Sequence, residues 1–233
     1  MPINPKNNLV EVSRALLLKV KLEQPTELEI QTLEHISISD FQQQLKTDTQ
    51  KKAFWINIYN ACFQILSGFE DAGMKAIYTD KSVKIAQNRF SLDDIEHGIL
   101  RKYRWKKSFG YLPNPLVSPL IKSLAVDTVD YRIHFALNCG AKSCPPIAFY
   151  SEDTLDNDLN KSMHSFITSE TAVDDHKKKI VTSKLLFWYC ADFGGLSQIK
   201  KLLQHVLIRN LTGYKLSFKT YNWETHLKNY ITN

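Results

Sequence analysis

A helix-rich α+β domain, with helices packed on a small sheet, is the fold this 233-residue sequence predicts, and three observations predict it. Apolar residues recur at three- and four-residue spacing over most of the chain, the signature of amphipathic helices. Alternating and β-branched runs are short and few. There is neither an internal repeat nor an extended linker, and a chain of this length can close one core without staples. One domain over 1–233 is therefore expected, with an N-terminal helical segment, 1–50, leading into a main body, 51–233.

The elements follow in order. Val12, Leu16, Leu17 and Val20 fall on one stripe and predict a first helix within 11–35. Ser39 and Asp40 before Phe41-Gln-Gln-Gln-Leu read as the N-cap of a second. The run Lys52 to Phe69 is apolar nearly all round, so its helix must be central. Asn57 and Asn60 share a face of that helix; buried amides need partners, either a neighbouring loop backbone or a developing oxyanion. Ser82 to Ala86 reads as a short strand turning at Gln87-Asn88-Arg89, and Ser91-Leu-Asp-Asp starts a helix with acid in its first turn. In that helix Glu96 lies with the apolar positions, where an unpaired carboxylate would cost several kcal/mol, so a cationic or hydrogen-bonding partner is expected.

Three prolines in 109–119 mark a loop, followed by a short helix within 116–125. Residues 131–138 read as a strand, with Ile133, Phe135 and Leu137 on one side and Arg132, His134, Ala136 and Asn138 on the other. Leu155, Leu159, Met163 and Phe166 predict an amphipathic helix, Lys179 to Thr182 a strand, Leu185 to Phe193 a buried helix ended by Gly194-Gly195, then another helix and the strand-like run Tyr214 to Trp223.

A formal charge of +6 biases the chain toward anionic surfaces, but its cations are spread out apart from local runs at Arg101 to Lys107 and Lys177 to Lys179, which read as solvated faces, and no reading module accompanies them, so nucleic acid is not expected as a partner. No window is apolar enough for a membrane span, and Met1 to Val10 lacks the blocks of a signal peptide. A complete chain would then be cytoplasmic; one from which a signal peptide has been removed would be periplasmic or exported. Four cysteines make no disulfide scaffold and match no zinc-ribbon spacing, and no cofactor is expected. Cys62 and Cys190 sit in apolar runs and read as packing residues.

The most informative stretch is Arg132 to Ile147, in which His134 precedes a loop holding Cys139 and Cys144. A thiol is a nucleophile only as thiolate, and a nearby imidazole can hold it in that form. Together with Trp55-Ile-Asn-Ile-Tyr-Asn-Ala61, Phe90 to Arg101 and the following Phe187-Trp-Tyr-Cys-Ala-Asp-Phe-Gly194, this stretch resembles the family called domain of unknown function 547. The resemblance implies a domain found in bacterial proteins, often exported, and in plant proteins joined to a coiled coil. It also implies a Glu, His, Cys triad of cysteine-peptidase type, with Glu96 and His97 in one motif and His134, Cys139 and Cys144 in the other. The fold would then be papain-like or transglutaminase-like with an altered order of catalytic residues.

Neighbours on a helix do not face each other, so Glu96 is expected to orient His134, and His134 to activate Cys144, with His97 and Cys139 in reserve. Asn57, Asn60 and Asn138 are the candidate oxyanion or orienting groups. The expected activity is thiol-dependent hydrolysis or acyl transfer on a peptide, or on a small amide or ester. Three alternatives stay open: a noncatalytic module binding a protein partner, a zinc site of Glu96, His134, Cys139 and Cys144, and a dithiol switch between the two cysteines.

Overall fold

The computed structural model describes residues 8–68 and 74–231. Its helices outweigh its strands, as an α+β assignment requires, and two apolar cores organise them. The first forms around α4 (Asp48–Leu66), whose N-terminus carries a reciprocal capping box between Thr47 and Gln50. Phe54, Trp55, Ile56 and Ile58 of α4 are wholly buried, which is why no polar face can be read from its sequence. The predicted helix extends to Phe69, which lies outside the described residues.

In front of α4, α1 (Leu9–Lys21) lays Leu16 and Leu17 against it. The single helix expected over 11–35 is in fact two, because Pro25 cannot continue a helix and Glu23 turns the chain with φ 55° before α2 (Glu27–His35) begins. A third, α3 (Ile38–Gln44), is capped by Ser37 and not by Ser39: the Ser37 hydroxyl accepts from the Asp40 amide at 3.1 Å. After α5 (Met74–Thr79), β1 (Val83–Ile85) pairs antiparallel with β2 (Asn88–Phe90) through a tight turn at Ala86 and Gln87, both at positive φ.

Ser91 and Asp94 then exchange hydrogen bonds at 3.0 Å and open the next helix. That helix is not α but π: Asp94–Leu100, with the Arg101 amide reaching the Glu96 carbonyl and the Tyr103 amide the Gly98 carbonyl, five residues back. Wide π turns are rare and concentrate at functional sites, because they rotate side chains out of helical phase. Gly98 suits the close approach of α6 (Pro119–Leu124); a Cβ there would stand 2.7 Å from Ile121 Cγ2.

The strand expected at 131–138 is a 3-10 helix, Tyr131–Phe135. Asp130 caps it by accepting from the Arg132 amide, and the amides of Ile133 and Ala136 bond three residues back. The alternation that suggests a strand has another cause. The segment is wedged between the two cores, burying Ile133 in the first and Phe135 in the second. The second core is enclosed by α7 (Leu155–Glu170), α9 (Leu196–Val206) and a three-stranded sheet. In that sheet β3 (Ala172–Asp174) pairs antiparallel and β5 (Lys215–Phe218) parallel with β4 (Lys179–Thr182). The buried helix expected at 185–193 shrinks to α8 (Leu185–Trp188), and turns carry the chain on to Gly195. Residues beyond β5 run back along the 139–147 loop, held by bridges at Ala141–Thr225 and Ile147–Tyr230.

Candidate functional site

Where the cores meet, a cavity of about 310 Å³ opens to the surface. The π-helix supplies Glu96 and His97, the 3-10 helix His134, the following loop Cys139 and Cys144, the turns after α8 Tyr189, and the C-terminal strap Tyr221 and Trp223. Glu96, His97, His134, Cys139 and Cys144, far apart in sequence, thus line one space.

Their pairings differ from those expected. Glu96 does orient a ring, but a phenol: its two oxygens accept from Tyr189 Oη at 2.6 Å and Tyr59 Oη at 3.1 Å. Burial pushes the Glu96 carboxyl up, yet its polar neighbours, the Tyr189 hydroxyl and the Arg101 charge among them, pull it below the ordinary carboxylate value. The acid that meets His134 is Asp192, whose Oδ2 accepts from His134 Nε2 at 2.8 Å. Arg101, also buried, grips the same carboxylate at both oxygens, through Nε at 2.6 Å and Nη2 at 3.2 Å. Burial alone would raise the Asp192 pKa; the His134 and Arg101 hydrogen bonds reverse that and bring it to about 2.

The third guanidinium nitrogen fixes the state of His97. Arg101 Nη1 lies 2.8 Å from His97 Nδ1, and because a guanidinium only donates, that ring nitrogen must hold a lone pair. His97 is therefore neutral with its proton on Nε2, 3.6 Å from Asp93, and its 3.7 Å approach to Glu96 is not an ion pair. Burial, above all, lowers the pKa of both His97 and His134, against the raising effect of their acid neighbours. Tyr189 sits at the centre: His134 stacks on one side at 3.8 Å between ring centroids, and the Arg101 guanidinium lies 4.6 Å from the ring.

At the opposite wall Cys139 and Cys144 are joined in a disulfide. Cys144 is 5% exposed and Cys139 more so. Cys144 Sγ has two donors against it, the Cys139 amide at 3.0 Å and the Tyr221 hydroxyl at 3.1 Å; the same hydroxyl is 3.3 Å from Cys139 Sγ. The loop is rigidly placed. Asn138 spans it, accepting from the Gly140 amide and donating to the Pro145 carbonyl, while the strap exchanges backbone bonds with Gly140, Lys142 and Ser143. Gly140 has φ 72° and faces Phe63 at 2.6 Å from where a Cβ would be, so no other residue fits.

The three amides proposed for an oxyanion are engaged in backbone. Both Asn57 amide protons are used, on Ser13 Oγ and the Tyr150 carbonyl, and its oxygen accepts from the Tyr150 amide. Asn60 joins the Ala136 carbonyl to the Asn138 amide. The zinc alternative needs two thiolates, whereas these sulfurs are bonded to each other, and among the described residues no group of three or more His, Cys, Asp or Glu side chains converges as ligands would.

Sequence reasoning misses Arg101, Asp192, Tyr189 and Tyr221. A signal exists for Asp192 alone: a carboxylate within the apolar run Leu185 to Phe193 demands a buried cation. The match to known families decides what kind of domain this is. The family model described as protein of unknown function, DUF547, covers residues 42–167. The chain belongs to that family. No curated protein and no solved structure matches it. The matched region carries the π-helix and the disulfide loop; Tyr189, Asp192, Tyr221 and Trp223 lie beyond it.

Proposed function

We propose that this member of the family acts through Cys139 and Cys144, as a thiol–disulfide exchange site for a thiol-bearing peptide or small molecule. The observation that carries the reading is the unequal setting of the two sulfurs. Cys139 is the more exposed, whereas buried Cys144 already faces two hydrogen-bond donors. An incoming thiolate attacks Cys139 Sγ, the bond between the cysteines breaks, and its electron pair goes to Cys144 Sγ, where the Cys139 amide and Tyr221 hydroxyl stabilise the leaving thiolate. A second substrate thiolate attacks the mixed disulfide at the substrate sulfur and releases Cys139. Two substrate thiols are thereby oxidised to a disulfide and the protein is reduced to the dithiol. Such a pair suits the exported alternative of the two compartments.

Thiol-dependent hydrolysis or acyl transfer is the second reading, favoured by His134 and its Asp192 partner lining the same cavity. In it the reduced dithiol is the working form and Cys144 the nucleophile. Equilibration of the native protein with glutathione separates the readings. Exchange predicts reversible reduction in the folded state and, in a Cys144→Ser variant, a glutathione adduct on Cys139. A disulfide that resists reduction until the protein unfolds would overturn it. Ester or amide turnover by the reduced protein, abolished in Cys144→Ser and in His134→Ala, would establish the second reading in its place.

A further inference from the structure

Residues 97–126 hold six of the chain's lysines and arginines and no aspartate or glutamate. The chain's formal net charge is +6, so its entire excess resides in this stretch and the remainder is balanced. The same stretch exposes large apolar side chains: Leu116 at 90%, Tyr111 at 63%, Leu112 at 57%, Phe109 at 44% and Trp105 at 41%. They share one compact loop. Arg104 bridges Pro113, the Trp105 amide bonds the Leu112 carbonyl, and the Asn114 amide bonds the Tyr103 carbonyl, so the tip between them is presented as a closed hairpin. Phe109 and Gly110, both at positive φ, turn that tip, and Phe109 packs edge-on against Phe187.

From this juxtaposition we infer that the 102–116 loop docks the protein onto an anionic membrane surface, its leucines and aromatics entering the headgroup–acyl boundary while Lys102, Arg104, Lys106 and Lys107 remain among the headgroups. Water-exposed leucines and aromatics concentrated on one loop are unfavourable unless something covers them, and a ring of cations with no internal acid selects a negatively charged cover. Long lysine and arginine stems reach headgroups while the apolar tip is immersed. A nucleic acid would match the cations but leave Leu112 and Leu116 without a partner. Acids from outside the stretch moderate the charge and do not cancel it. Lys106 rests on Asp93, and Arg104 reaches Asp192 at 3.5 Å, while Lys107 stands exposed. No helix among the described residues is long and apolar enough to cross a membrane.

Flotation with vesicles tests this. The native protein should float with vesicles of phosphatidylcholine and phosphatidylserine, remain behind with phosphatidylcholine alone, and release as salt is raised. The Leu112→Ser/Leu116→Ser pair should weaken binding by roughly tenfold or more, with an unchanged circular dichroism spectrum; Leu116→Ser alone serves if the pair does not fold. Lys107→Glu should weaken it less. Failure to float with the anionic vesicles, or equal binding with and without the leucines, overturns the inference. So do dimers that the leucine pair abolishes in the absence of vesicle binding, which make a second copy the occupant. So does binding of a duplex oligonucleotide that displaces vesicles and ignores the leucine substitutions.

Discussion

The amides of the central helix and the acid–base groups around Arg101 are both largely withdrawn from water, yet they face different partners. Asn57 and Asn60 each join one backbone N–H to one backbone C=O, and Asn57 adds the Ser13 hydroxyl. His97, Arg101, Asp192 and His134 end on one another and Glu96 on two tyrosine hydroxyls, and Glu96, His97 and His134 also face a cavity beside a disulfide. A polar group bonded to backbone fixes a chain path. A polar group bonded to another titratable group, at the edge of a space that a ligand can enter, can exchange protons with what arrives. Burial alone does not separate structure from chemistry; the identity of the partner does.

Arg101→Met gives the largest effect. It leaves Asp192 buried with one fewer cation and removes the donor that fixes His97, and breaking a buried pair from one side costs about 3–5 kcal/mol. Urea denaturation should show that loss, and a cost below about 1 kcal/mol would mean that Asp192 is satisfied without it. Next, Asn57→Ala strands the Tyr150 amide and carbonyl inside the core, at about 2–4 kcal/mol for two unsatisfied groups. The pH profile of thiol alkylation in the reduced protein should not move. If it does, the two networks are connected and the contrast fails.

Acid sharpens the same contrast. Burial holds His97 and His134 below the ordinary histidine value of 6.5, so the unfolded chain binds protons that the folded one refuses. Stability therefore falls as pH drops below about 6.5. Asp192 acts in a separate window. Its folded pKa of about 2 lies below the ordinary 3.8, so its stabilising contribution is complete above about 4 and is lost as pH falls toward 2. Thermal melts from neutral to acid should thus decline in two stages, and His134→Gln should flatten the first. A melting temperature constant between pH 7 and 5 would show that neither imidazole is held neutral by the fold.

The sequence reading succeeds where a pattern is local. Helical stripes at α1, α7 and α9, the capping pair Ser91 and Asp94, and the burial of Glu96 all follow from spacing and side-chain chemistry within a few residues. It fails at 131–138 because alternation puts Ile133 and Phe135 on one face, whereas the 3-10 turn sends Ile133 into the first core and Phe135 into the second and buries His134 between them. The family motifs bring Glu96, His97, His134 and the cysteines into view, but their partners Asp192, Tyr189 and Tyr221 come from the last quarter of the chain, and no local rule links positions 58 to 93 residues apart. Spacing raises the pairing of the two cysteines only as one alternative. Cys139 and Cys144 meet because Asn138 and the C-terminal strap fold the loop onto itself.

Glu96→Gln is the smallest perturbation and the most discriminating. The side chain keeps its shape and one acceptor, so one tyrosine hydroxyl is retained and stability should fall by about 1 kcal/mol. The lost charge matters more. Tyr221, whose hydroxyl touches both sulfurs, is itself raised by burial and then by the Glu96 charge. Removing that charge should ease ionisation across the cavity, so the cysteines of the reduced variant should alkylate at lower pH than those of the native protein. Thiol alkylation across pH, with each cysteine followed by mass mapping, reads the shift directly. A profile that superimposes on the native one would place Glu96 with Asn57 and Asn60, as a carboxylate that holds two tyrosines in place and has no electrostatic hold on the sulfur pair.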